Sequence, residues 1–82
     1  MKLREKLDPL SELQAIRIQY GLSYENVAFE LREHVPLSTA TVFRMLSSGR
    51  ARDLIVHGID RWLSEVGRRR YPLEGLSKEA NP

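Results

Sequence analysis

The sequence predicts an all-α domain of four to five short helices, and three observations predict it. Every periodic stretch repeats its apolar residues at spacings of three and four. The boundaries between these stretches carry helix caps and helix stops. Alternating β-branched runs between turns, the mark of strands, are missing throughout. At 82 residues there is room for one domain with a modest core.

The first helix is predicted to open at Asp8-Pro9, where Asp8 suits the N-cap and Pro9 the first helical position. Leu10, Leu13, Ile16 and Tyr20 follow at helical spacing, and Gly21 supplies a left-handed stop. Residues 1–7 are expected to add a short helical turn or a loose N-terminal arm ahead of it. The second helix starts after Ser23 and places Val27, Ala28 and Leu31 on one face. It must end before Pro36, because the residue preceding a proline is pushed out of the helical region. Ser38 or Thr39 caps a third, short helix that runs through Ser47 and stops at Gly49.

The fourth helix is expected from about Ala51 to Val66, with Ile55, Ile59, Trp62, Leu63 and Val66 inward. Gly67 and Arg68-Arg69-Arg70 close it, putting cations at the negative end of the helix dipole. The predicted core is Leu13, Ile16, Val27, Ala28, Leu31, Val42, Met45, Ile59, Trp62 and Leu63. The predicted organisation is therefore the arm 1–7, a folded domain 8–66 and a basic, flexible C-terminal tail 67–82.

Composition excludes several classes. There is no cysteine, so disulfides and cysteine-ligated zinc are ruled out. No apolar stretch approaches the roughly 20 residues of a membrane span, and the start, Met1-Lys2-Leu3-Arg4-Glu5-Lys6-Leu7, has no apolar signal core. The expectation is a soluble cytoplasmic protein. The two histidines, His34 and His57, fall in different elements and assemble no catalytic or metal constellation. His34 is expected exposed in the turn, within reach of a phosphate, and His57 half-buried along the fourth helix. No glycine loop cradles a nucleotide. No enzymatic activity, cofactor, metal or small-molecule substrate is expected.

Net charge is only +2, but it is unevenly placed: residues 38–52 carry +3, while 23–37 and 53–66 carry −2 each. A focused basic patch on a nearly neutral body suits contact with phosphates through one face. The third helix shows which face. Val42, Met45 and Leu46 point inward, leaving Thr39, Ala40, Phe43, Arg44 and Ser47 outward with no acidic residue among them. Short hydroxyl side chains let a helix sit deep in a major groove, and arginine takes a guanine edge bidentately. Arg50 and Arg52 straddle the start of the fourth helix, whose free N–H groups already favour an anion. Arg68-Arg69-Arg70 offers either further phosphate contacts or simple complementarity to the helix end.

The stretch Gly21-Leu22-Ser23, Val27-Ala28, Leu31, Ser38-Thr39-Ala40-Thr41-Val42, Arg44-Met45-Leu46 and Ser48-Gly49-Arg50 resembles the lambda-repressor-like (Cro/repressor, XRE-type) helix-turn-helix family. The resemblance covers about residues 10–66. It implies base reading by Thr39, Ala40, Phe43 and Arg44, and phosphate contacts from Tyr24, Ser38, Ser47 and the loop bearing Arg50 and Arg52. The expected function is sequence-specific regulation of transcription on double-stranded DNA, as a repressor that occludes a promoter, and, because one such small module seldom supplies enough affinity alone, as a homodimer on a two-fold operator. Two features depart from the family pattern. Arg32-Glu33-His34-Val35-Pro36-Leu37 makes a longer turn, and Tyr24 stands where a glutamine is common. The competing expectation is a protein-interaction module, an antitoxin or assembly subunit, anchored by Phe43.

Overall fold

The computed structural model describes residues 8–73, and over these residues the chain is helical, with no strand. The arm 1–7 and residues 74–82 of the tail lie outside the described residues. Helix α1 (Pro9–Tyr20) starts as its sequence dictates: the Asp8 carboxylate accepts from the Ser11 N–H at 2.9 Å. It ends at Gly21, whose φ of 63° turns the backbone so that its N–H closes on carbonyls of the last turn. Helix α2 (Tyr24–Leu31) is capped by Ser23, and Asn26 returns the bond to the Ser23 N–H, so two otherwise orphan donors are satisfied. Helix α3 (Thr39–Ser48) opens at Ser38 and closes at Gly49, where φ is 75°.

The connection between α2 and α3 owes its length to α4 (Asp53–Trp62). His34 and Val35 both bond back to the Leu31 carbonyl, which winds the chain once more before Pro36. Val35 then lies on Gly58 of α4, where a Cβ would stand 2.7 Å from the Val35 Cβ. The added residues are therefore a packing element that joins the turn to the last helix.

The C-terminal third differs most from expectation. Helix α4 begins at Asp53, two residues after Ala51, because Arg52 takes the extended N-cap conformation. Nor does the helix stop at Gly67. A wider π-helical turn, Leu63–Gly67, carries it into a last turn, α5 (Arg68–Arg70). Gly67 is helical, with φ −59° and ψ −48°, so it is no left-handed stop. A five-residue turn brings residue 67 over residue 62, and a Cβ on Gly67 would lie 2.5 Å from the Trp62 ring. Glycine is there to let the backbone meet the indole.

The core holds Leu10, Leu13, Ile16, Val27, Leu31, Val42, Met45, Leu46, Ile59, Trp62 and Leu63, with Ala28 only partly buried against it. The periodicity thus placed nine of its ten core residues, and the core also takes in Leu10 and Leu46. The folded unit does not end at Val66. Tyr71 and Leu73 pack on the core, and the Tyr71 ring meets Tyr20 and Trp62 at centroid distances of 5.1 and 6.3 Å. Residues 67–73 are part of the fold and not of a flexible tail. Tyr20, expected inward, sits at the rim and donates its hydroxyl to the Pro72 carbonyl. Two ion pairs fasten this end. Arg68 grips the buried Glu12 of α1 with two bonds of 2.8 and 3.0 Å, and Arg70 reaches Glu30 of α2 at 2.6 Å.

Candidate nucleic-acid interface

The described residues contain nine basic side chains, all arginine, and most are held internally. Arg68 and Arg70 are paired as above. Arg69 donates to the Glu65 carbonyl, Arg61 to the Glu65 carboxylate, and Arg32 to the Phe29 carbonyl while pairing weakly with Glu33. Arg17 donates to Gln14 and to the Leu22 carbonyl and lies 4.5 Å over the Tyr24 ring. Three remain: Arg44, Arg50 and Arg52 have no side-chain partner among the described residues, and all three are exposed. They sit together in sequence, on α3 and the loop that leaves it. Within the basic C-terminal triplet Arg68 and Arg70 are ion-paired, whereas Arg69 bonds only a backbone carbonyl and keeps its charge. The Arg68 guanidinium is held above its ordinary value by its bonds to Glu12, which outweigh partial burial.

The outer face of α3 is as the spacing requires. Thr39, Ala40, Phe43, Arg44 and Ser47 are all exposed, and the helix contains no acidic residue. Val42, Met45 and Leu46 face the core. Ser38, at the start of that face, is exposed but already occupied: its hydroxyl accepts from the Thr41 N–H at 3.1 Å and donates to Thr41 Oγ1. Arg52, the N-cap of α4, makes no side-chain cap, so the first-turn N–H groups of that helix are not claimed by it. Asp53 follows at once and opposes an anion there.

Compared with known proteins, the chain matches no family model, no curated protein and no solved structure. Any functional reading therefore rests on the site itself.

Tyr24 is half-buried, and its ring is braced on both sides. Arg17 lies against it, and Phe43 meets it edge-on, with centroids 5.2 Å apart and planes at 85°. A chain of contacts thus runs from Gln14 and Arg17 on α1, through Tyr24 on α2, to Phe43 on α3. Sequence reasoning placed Tyr24 and Phe43 in the site but missed their contact and missed Arg17. The α3 register gave no hint, because the three residues come from three helices.

The histidines are exchanged relative to expectation. His34 is mostly covered and shares a 3.0 Å bond between its Nε2 and Glu65 Oε1, while its buried Nδ1 has no partner among the described residues. His57 is exposed. Bonds from His34 first, and then from Arg61, hold the Glu65 carboxyl below its ordinary range. Burial first and then the bond to Glu30 push the Tyr71 phenol up. Among the described residues no three His, Asp or Glu side chains converge as a metal site would. No helix among them is long and apolar enough to cross a membrane.

Proposed function

We propose that the protein binds double-stranded DNA through α3 and regulates transcription, as a homodimeric helix-turn-helix repressor of the lambda-repressor-like type. One observation carries this reading. The arginines without a side-chain partner among the described residues are gathered on α3 and its exit loop, beside an exposed helix face free of carboxylates. A protein whose arginines served only solubility would leave them scattered. In this reading Arg44, with Thr39, Ala40 and Phe43, meets base edges, and Ser47, Arg50 and Arg52 meet phosphates. Tyr24 and Ser38 have less freedom for such contacts, because one is braced as a ring and the other caps its own helix.

Selection of bound sequences from a random duplex library tests the reading directly, since a regulator enriches one half-site with two-fold symmetry. Against the selected duplex, Arg44→Ala is expected to weaken binding by about 1–3 kcal/mol and to relax preference at one base pair. Equal losses on selected and random duplexes would demote Arg44 to a phosphate contact. The second reading, a protein-interaction module, is favoured by one observation, the half-exposed ring of Phe43. Absence of duplex binding at low salt would select it.

A further inference from the structure

We infer that Phe43, held upright by Tyr24, reads the 5-methyl group of thymine in the major groove, and that this apolar contact sets the sequence preference of α3. The inference rests on the DNA-binding reading above and adds to it the base that is recognised. Phe43 is 50% exposed, less than Leu54, Ile18 or Phe29, and what sets it apart is its place beside Arg44 on the carboxylate-free outer face of α3. Ala40, three residues earlier on the same helix, is exposed next to it, so the two form a short apolar strip. The strip lies on the element that carries Arg44 and leads to Arg50 and Arg52, cations without partners among the described residues. The expected occupant is therefore a polyanion that also offers a small apolar group. In the major groove the thymine methyl is that group, since the other base edges present hydrogen-bond donors and acceptors.

The geometry also makes the contact efficient. The Tyr24 ring stands edge-on to Phe43 at 5.2 Å and 85°, and Arg17 covers Tyr24 at 4.5 Å. Arg17 is itself fixed by Gln14 and the Leu22 carbonyl. The contact with Tyr24 restricts the Phe43 ring on one side before the duplex arrives, which lowers the ordering cost of docking. Tyr24 is in this account a positioning residue that acts through Phe43.

The test uses the full chain, the duplex obtained by library selection, and copies of it in which single thymines are replaced by deoxyuridine. This exchange removes one methyl group and leaves every hydrogen-bonding group in place. At one or two positions the loss is expected to weaken binding about fourfold, the equivalent of one buried methyl group. Phe43→Ala should bind thymine and deoxyuridine duplexes equally while melting as a folded protein. Tyr24→Leu should bring the ratio below about twofold, and Tyr24→Phe, which keeps the ring, should restore it. Measurement at low salt keeps the variants bound through their phosphate contacts. Two results overturn the inference and leave DNA binding intact: no thymine position sensitive to the exchange, or a sensitivity that persists in Phe43→Ala. Failure to enrich any duplex removes the DNA-binding reading, and this inference with it.

Discussion

Arg68→Ala and Arg50→Ala delete the same group from the same residue type, yet opposite phenotypes are expected. Arg68 makes two charge-assisted bonds of 2.8 and 3.0 Å to Glu12, whose side chain is 3% exposed. Its removal leaves that carboxylate buried without its cation. Breaking a fully buried pair costs about 3–5 kcal/mol. Half of the Arg68 side chain is in water, so the loss here is expected near 2–3 kcal/mol, roughly 8–24 °C in melting temperature for a domain of this size. Arg50 has no side-chain partner among the described residues, so Arg50→Ala should stay within about 0.5 kcal/mol of wild type. On duplex DNA the order reverses. Arg50→Ala should lower the slope of log K against log salt by about 0.9, and Arg68→Ala should leave it unchanged. Thermal melts and duplex titrations at several salt concentrations measure both quantities on the same samples. The reasoning fails if Arg68→Ala flattens the salt slope while melting like the wild type, because its guanidinium would then be serving phosphates and not Glu12.

The remaining predictions concern the C-terminal third. Gly67→Ala should gain about 1 kcal/mol in helix propensity and lose about 1–3 kcal/mol through collision with the buried Trp62 ring, for a net loss. A lowered urea midpoint, followed by emission of the single tryptophan, would show it; a raised midpoint would mean that the indole can move aside. Glu65 supplies a pH dependence. Its carboxyl is held below the ordinary 4.5, so the native state sheds this proton more readily than the unfolded chain. The stabilisation is present above that value and is lost as pH falls through the lowered native one. The stability difference between wild type and Glu65→Gln should therefore shrink in acid, and a difference independent of pH would refute the pairing with His34 and Arg61.

The helices, their caps and nearly all of the core could be read from the sequence because each signal is local. Spacings of three and four mark the buried faces, and Asp8, Ser23, Ser38, Gly21 and Gly49 act within one turn of their own position. The outer face of α3 was legible for the same reason. The failures share a different cause, dependence on contacts distant in the chain. Gly67 resembles a helix stop until Trp62 is seen folded against it. Arg68 and Arg70 resemble a solvated basic tail until Glu12 and Glu30 arrive from α1 and α2. His34 looks exposed in a turn, but Glu65 meets it from the π-helical turn.

That distant pairing is also why the small net charge is a poor guide to this surface. Residues 38–52 carry three arginines and no carboxylate, whereas the rest of the described chain has six arginines against eight carboxylates. Were the six free in solvent, their fields would spread over the whole molecule. Four of them, Arg32, Arg61, Arg68 and Arg70, stand against Glu33, Glu65, Glu12 and Glu30 and present nearly neutral pairs to a distant ion, while Arg17 and Arg69 bond only neutral groups and keep their charge. Among the described residues, Arg44, Arg50 and Arg52 then form a run of arginines with neither a side-chain partner nor a carboxylate in the same stretch of chain, and within about one Debye length, roughly 8 Å at physiological salt, their fields add. The packing of α5 on α1 and α2 thereby sharpens the electrostatic contrast of α3, although the two regions share no residue. On the proposed DNA-binding reading, such a surface would orient the duplex before contact, and that orientation would matter more than added affinity, because Phe43 and Arg44 would meet the bases only from a correctly turned α3.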